Sequence, residues 1–304
     1  YYDNTTWKDE KVTTLSVDRV AVTIDANKRI HVVFRATGAK SGLFHTHRDL
    51  TSSGKWLATP VQISSKAAMG YSLSMAAGGG HIFLAAGDGQ KYDFFRLVPG
   101  GGKYTYKTVK TASHLHVRTV TGKTRVLVSA ASAAGKWVAT SMPHAGGSSV
   151  STNPIAGGGV SHDPLEMAVD ASGLVHMVFV ADVKDKRGAL KYLTWDGKGA
   201  SSFSTPTTVT AKDVHLGSAH IALDHFNQPV VTYWQGALAA KTFTLYRANK
   251  QGTFWSTTTE STQSPTSGTK LLGGKTRVFV VGASRHLTHW ANWTGGGWHA
   301  CNQM

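Results

Sequence analysis

The run from Ser161 to Asp196, SHDPLEMAVDASGLVHMVFVADVKDKRGALKYLTWD, narrows the choice of folds more than any other part of the chain. It holds three short stretches of alternating apolar residues, Leu165–Val169, Leu174–Val180 and Ala189–Trp195. Period-two alternation with β-branched and aromatic residues marks half-buried strands. Asp170-Ala-Ser-Gly173 between the first two is turn chemistry for a tight hairpin, with Gly173 free to take positive φ. The polar run Asp182–Gly188 makes the second connection, and a fourth strand is expected over Ser201–Val209. Four antiparallel strands joined by short turns make one blade of a β-propeller.

The unit recurs along the chain. Second strands are expected to begin near Ile30, His81, Thr124, Leu174, Pro229 and Thr276, a spacing of 43 to 55 residues. Such an interval means stacking of one supersecondary unit, and strands this short and numerous favour a ring with few exposed edges. No helical i, i+3, i+4 pattern persists anywhere. The expected fold class is therefore all-β: a single β-propeller domain over residues 1–304, with six four-stranded blades and seven as the alternative. Closure does not tally, because Thr6–Thr14 and Gly297–Gln303 both read as outer strands, one more than six blades need.

Charge narrows the partner. Thirty-two Lys+Arg face 17 Asp+Glu, a formal +15, and the glutamates are Glu10, Glu166 and Glu260 alone. An excess of this kind concentrates anions near the surface and favours an acidic polymer as partner, although it also serves solubility. The basic residues are scattered and form no run of the nucleic-acid type, and no DNA- or RNA-binding motif is present. No nucleic-acid partner is expected. No apolar run reaches the ~18–20 residues of a membrane span, so none is expected either. The lone Cys301 excludes an intrachain disulfide framework and a cysteine-based zinc site. The numbering starts at Tyr1 without an apolar leader, which suits a secreted protein whose signal peptide has been removed. A monomer is expected.

In a propeller, loops leading into inner strands and loops joining second to third strands share one face. The first set supplies Tyr71, His114, His162, Asp163 and His215. The second supplies Arg35, Lys40, Asp88, Lys91, Asp182, Lys186, Arg187, Trp234, Gln235 and Arg285. The collection is cationic and rich in imidazole, though solvated loops carry polar residues by default. His31, His81 and His176 recur near the starts of second strands, a repetition that favours packing or hydrogen bonding over catalysis. Asp25, Asp170 and Asp224 sit in the first hairpin turns of their blades and read as turn formers. Trp56, Trp137, Phe203, Trp255 and Trp298 recur around fourth strands and read as inter-blade core.

With those aspartates assigned to turns, few carboxylates remain for a glycosidase, which needs two of them across a sugar. Ser52-Ser53-Gly54-Lys55-Trp56 lacks the aspartate of a sialidase-type Asp-box. Neither a Gly-x-Ser-x-Gly elbow nor a phosphate-binding loop is present. His45/His47 and His114/His116 each place two imidazoles on one strand face, where a metal could bridge them. No third ligand is evident in the sequence, so no metal or other cofactor is expected beyond the option of a structural cation such as calcium. Asn4-Thr-Thr and Asn292-Trp-Thr match the glycosylation triplet, which matters only in a eukaryotic secreted protein.

Ser161-His162, Met167-Ala-Val-Asp170 and Gly173-x-x-His176 together resemble a segment of the β-propeller polysaccharide lyases that cleave ulvan, within the broader BNR-like repeat propellers. The resemblance puts His162 in the place of that family's first catalytic histidine. The second histidine's place falls near Asp182, so half of that pair is missing. The following blade of the family offers a tyrosine and a Tyr-Arg pair; here His215 and Tyr233-Trp234 stand nearest, and the arginine is absent. The family's propellers have seven blades. The implied activity is β-elimination on a uronate-containing polysaccharide, with His162 as base or acid and Tyr233 or His215 as its counterpart. Arg35, Lys186, Arg187 and Arg285 would hold uronate groups, beside Trp234 as a further substrate contact. Cations are needed there because enolate charge develops beside the carboxylate. The alternatives are a lectin- or adhesin-like propeller without turnover and a protein-interaction propeller. Lectin propellers tend to repeat near-identical blades, and these six differ widely, which favours one asymmetric site.

Overall fold

A computed structural model describes residues 10–50, 56, 59–65, 72–87, 92–97, 104–109, 114–132, 137–147, 149–152, 166–185, 187–199, 202–215, 219–224, 226–236, 243–263, 270–273, 278–283, 288–293 and 298–301. The described residues form twenty-four strands and one 3₁₀ turn at Gly38–Lys40, with no α-helix. None is a helix long and apolar enough to cross a membrane. The chain divides into two compact units, residues 1–111 and 112–304.

The first unit holds two antiparallel four-stranded meanders. One runs β1 (Val17–Ile24), β2 (Arg29–Ala36), β3 (Gly42–Asp49) and β4 (Val61–Ser64). The other runs β5 (Ser72–Gly78), β6 (His81–Gly87), β7 (Tyr92–Leu97) and β8 (Tyr104–Val109). Their first strands, β1 and β5, adjoin. Between the sheets Val33 and Leu43 pack with Met75, Ile82, Leu84, Ala86, Phe95 and Leu97. The opposite face of the first sheet gathers Val32, Phe34, Ala36 and Phe44 under Val12, Leu15 and Trp56. Side chains alternate sides along a strand, and here both sides are apolar. A sheet sandwiched on both faces needs that pattern.

The second unit repeats the plan. Its meanders are β9 (His114–Thr121) to β12 (Val150–Thr152) through β10 (Arg125–Ser132) and β11 (Trp137–Pro143), then β13 (Glu166–Val169), β14 (Val175–Lys184), β15 (Arg187–Trp195) and β16 (Thr207–His215). Next come β17 (His220–Leu223), β18 (Pro229–Gln235), β19 (Phe243–Gln251) and β20 (Phe254–Gln263). The last is β21 (Lys270–Gly273), β22 (Val278–Ala283), β23 (Thr288–Trp293) and β24 (Trp298–Cys301). A single bridge, Val214↔Gln235, joins the β13–β16 and β17–β20 meanders into one ladder. First strands adjoin in series: β9 with β13, β13 with β17, and β17 with β21. Strand β14 shows how such a stack is cored. Val175, Met177, Phe179 and Ala181 pack against Leu127, Trp137 and Ala139 of the preceding sheet. Val178 and Val180, on the other side, meet Ile221, Val231 and Tyr233 of the following one. Each large apolar side chain buried this way contributes about 1.5–3 kcal/mol.

Three of the first hairpins share one turn. Asp25, Asp170 and Asp224 each donate their N–H to the carbonyl four residues on, and their own carbonyls accept the N–H three residues on, from Lys28, Gly173 and Asn227. Their Oδ1 atoms accept the N–H four residues on, from Arg29, Leu174 and Gln228. The residue before that donor is left-handed in all three: Lys28 at φ 60°, Gly173 at 83° and Asn227 at 60°. The aspartates are turn formers, as their placement in the sequence implied.

Some expectations shift. Residues 10–16 contain no strand, so the described part of Thr6–Thr14 is not an outer strand, whereas Gly297–Gln303 does supply β24. Strands β14 and β15 reach into the connection expected over Asp182–Gly188, ending at Lys184 and starting at Arg187. A bulge between Ala181 and Lys184, with Asp182 left-handed at φ 55°, lets β14 and β15 continue to pair. The fourth strand starts later than Ser201. Asp196 accepts hydrogen bonds from the N–H groups of Lys198 and Gly199 and from the Ser202 hydroxyl, folding that segment into a loop. Phe203 then makes an isolated bridge to Trp195, and the ladder proper runs over Thr207–His215. Trp137 lies in a third strand, not near a fourth.

Candidate functional site

In the first unit, the segment leading into β1 and the stretch before β4 enclose a cleft of about 540 Å³. Lys11, Val12, Thr13, Thr14 and Leu15 form one wall; Lys40, Phe44, Trp56, Thr59 and Pro60 complete it. The indole of Trp56 is fixed by its Nε1–H donating to Glu10 Oε2 at 3.0 Å, and Arg48 pairs with the same carboxylate. The cleft thus offers an anchored aromatic ring, two ammonium groups and three hydroxyls. Lys40 belongs to the expected set of face residues; Lys11 and Trp56 lie outside it. Trp56 reads as core in the sequence because its anchor, Glu10, is 46 residues away.

In the second unit, sheet register brings expected site residues together at one end of β14–β18. Arg187 and His215 are direct cross-strand partners, and Val214, next to His215, pairs with Gln235, next to Trp234. Arg187 is 7 % exposed and its Nη1 donates to the Gly236 carbonyl at 2.6 Å. That hydrogen bond and the one from Gly236 N–H to Asp213 O tie the two meanders. Asp182, Asp185 and Asp213 are all left-handed, at φ 55°, 50° and 63°. Backbone strain of this kind costs about 1–3 kcal/mol per residue and gathers at functional positions. Gly188 is required here, since a Cβ would stand 2.1 Å from the Ala181 carbonyl oxygen.

Other expected residues are used differently. Tyr233 is 1 % exposed, stacks on Tyr246 with ring centroids 5.6 Å apart and sits in the apolar cluster of its sheet. Burial raises its phenol pKa, and hydrogen bonds with Thr257 and Thr210 oppose that only in part. A phenol so enclosed is packing, not a proton donor to a polymer. Trp234 is 7 % exposed, whereas a sugar platform needs an open ring face. Arg35 lies on β2 with its guanidinium paired to both oxygens of Asp18, whose pKa that hydrogen bond lowers. Its charge is therefore already engaged. His162, Lys186 and Arg285 lie outside the described residues, as does the side chain of His215.

Two buried polar clusters stand on the shared aspartate turns. In the β1–β4 sheet, Asp25 Oδ2 lies 3.2 Å from His31 Nε2, and His31 Nδ1 lies 3.1 Å from His45 Nε2. His47, directly opposite His31, is close to both. Burial lowers the pKa of all three imidazoles, that of His45 to about 3 with help from its two neighbours, while Asp25 partly restores that of His31. In the β13–β16 sheet, Asp170 Oδ2 lies 3.5 Å from His176 Nε2, and His176 Nδ1 bonds the Tyr192 hydroxyl at 2.7 Å. His81 does not match these two. It follows a two-residue Gly79-Gly80 turn and is hydrogen-bonded with Arg96. A third polar group crosses first strands of the second unit. Glu166 on β13 accepts from Arg118 on β9 at 3.0 Å, and its other oxygen lies 3.9 Å from His220 on β17. Burial opposes ionisation of Glu166, but these partners prevail and hold its pKa below the usual value.

No protein-family profile matches the sequence, and no curated protein matches it. Solved structures do match its fold. An ulvan lyase bound to -[GlcA(1-4)Rha3S]- superposes with a TM-score of 0.62 at 10% identity, covering 96% of this chain and 86% of that one. The lectin of Aleuria aurantia, in complex with Fucalpha1-6GlcNAc, gives 0.53 at 13% identity, covering 95% and 97%. AofleA from Arthrobotrys oligospora gives 0.53 at 11%, covering 95% and 88%. Another structure of the Aleuria lectin, described as a six-bladed β-propeller, matches with 0.51 at 13%. The fold is a β-propeller. Its first strands are those that adjoin one another from blade to blade, and the four-stranded meanders are its blades. At these identities the likeness concerns the fold alone.

Proposed function

We propose that this propeller is carbohydrate-active and binds an acidic polysaccharide in the cleft between the segment leading into β1 and the stretch before β4. One observation carries the reading: an anchored indole beside Lys11, Lys40 and three threonine hydroxyls in a cleft of about 540 Å³. A sugar ring offers an apolar face to an aromatic side chain and hydroxyls to polar ones, and a uronate or sulfate adds the charge that two ammonium groups meet. The formal +15 of the chain supports a polyanion over a neutral glycan. Among proteins of this fold, an ulvan lyase and the Aleuria lectin both carry glycans in their structures. Affinity electrophoresis in gels containing ulvan, glucuronan, alginate, pectate or heparinoid tests the reading. Retardation by at least one polyanion, and none by neutral dextran, is expected; equal mobility in every gel would end it.

A second reading, turnover by β-elimination, is favoured by the pairing of Arg187 with His215 at the strained end of β14–β18. In this reading His162 abstracts the proton beside the carboxylate, His215 protonates the leaving oxygen, and Lys186 and Arg285 attend the uronate, while the buried Arg187 holds the β15–β16 end in place through the Gly236 carbonyl. Tyr233 and Trp234 drop out of the site because they are buried, and Arg35 because it is paired. Elimination leaves an unsaturated uronate that absorbs in the ultraviolet. A rise abolished by His162→Ala supports turnover; a flat trace with gel retardation leaves binding alone.

A further inference from the structure

The Asp25–His31 frame recurs as Asp170–His176, yet its surroundings carry two more imidazoles than the frame requires. We propose that His31, His45 and His47 bind a single divalent transition-metal ion of the zinc type, with Asp25 orienting His31 from behind. The inference is independent of the glycan reading.

One ring nitrogen from each histidine lies within 4.8 Å of those from the other two. His31 Nδ1 and His45 Nε2 stand 3.1 Å apart. Two nitrogens on a tetrahedral zinc, with bonds of ~2.0–2.1 Å, stand about 3.3 Å apart. That pair is thus already at ligand spacing, and His47, the least buried of the three, offers the third nitrogen within 4.8 Å of both. Asp25 fixes the tautomer: its Oδ2 faces His31 Nε2, so the His31 nitrogen turned toward His45 is Nδ1. A carboxylate behind a ligating imidazole is the common outer-shell arrangement of zinc sites. Asp25 is itself held by the Arg29 N–H at 2.8 Å.

The β13–β16 sheet supplies the contrast. Position for position, Tyr192 stands where His45 does, each opposite the residue two beyond the frame histidine, and Thr194 stands where His47 does. There one phenol hydroxyl satisfies the histidine at 2.7 Å and the core closes over it. Packing therefore needs no further imidazole. Three neutral nitrogen donors with no oxygen ligand suit zinc, copper or nickel rather than calcium or magnesium.

The test is calorimetric titration of chelator-treated protein with zinc chloride, followed by cobalt(II) with its visible spectrum. One equivalent per chain is expected, with Kd on the order of a micromolar or tighter, and a visible cobalt band of tetrahedral intensity. His47→Gln, at the partly exposed position, should weaken zinc at least ~100-fold with the fold intact by circular dichroism. Asp25→Asn, which can still accept from Arg29, should weaken it ~10–100-fold. His176→Gln should leave it unchanged. Absence of one-to-one zinc binding would overturn the proposal, as would wild-type affinity in both His45→Gln and His47→Gln.

Discussion

The β1–β4 and β13–β16 sheets solve one structural problem with two chemistries. Both open on an aspartate that closes a five-residue turn and reaches a histidine six residues on, near the start of the next strand. In the later sheet the chain continues with Tyr192, whose ring meets Trp255 edge-on at 5.2 Å and lies 5.6 Å beneath the Lys250 ammonium. The polar frame is thereby sealed into a core. In the earlier sheet the same places hold His45 and His47, and three imidazoles face one another. A fold element that is purely structural in one blade becomes a donor set in another through two side chains. Propellers vary their blades in just this currency, since neighbouring strands set where side chains meet while sequence sets what meets.

The largest expected effect falls on the sealed version. Tyr192→Ala removes a buried ring and strands His176, and should cost about 3–5 kcal/mol in denaturant unfolding. If His45→Ala in metal-free protein costs as much, the two sheets are more alike in packing than the contrast allows. Acid should act next, and on the triad. His45 titrates near 3 when folded against an ordinary 6.5 because burial, then His31 and His47, disfavour its charge. Above pH 6.5 it is neutral in both states; below, the unfolded chain takes up the proton first. Stability of the metal-free protein should thus fall as pH drops from 6.5 toward 3, by up to about 1.4 kcal/mol per unit. Asp25, Arg29 and Asp49 also face this cluster. His45→Tyr, which imports the other sheet's solution, should flatten the slope. Smaller still, Asp170→Ala frees the Ser172 and Leu174 N–H groups and should cost about 1–2 kcal/mol. Last, Lys28→Gly relieves a left-handed lysine and should gain no more than about 1 kcal/mol. Thermal melts resolve both.

These contrasts also mark what a sequence can show. The second strands begin within two residues of their expected starts, because alternation and turn chemistry are local signals. Asp25, Asp170 and Asp224 were legible as turn formers for the same reason. The donor set was half legible: His45 and His47 share a strand face, but His31 joins them only through the β2–β3 register. Pairing of Arg187 with His215 depends likewise on two bulges that no periodicity announces. The burial of Tyr233 and Trp234 follows from β18 being covered on both faces, which a strand with two apolar faces implies only once its neighbours are known. Trp56 does pack against the apolar cluster of the β1–β4 sheet, as an indole there implies, but it also lines the cleft, and that second role shows only once its anchor Glu10 is located.

The most direct measurement is mobility in a glucuronan gel of the protein beside Lys40→Ala and Trp56→Ala. The account predicts strong retardation of the unaltered chain, weaker retardation of Lys40→Ala that fades further with salt, and the greatest loss with Trp56→Ala. Retardation identical in all three would show that charge spread over the surface, not the cleft, holds the polymer, and would contradict the assignment of the site.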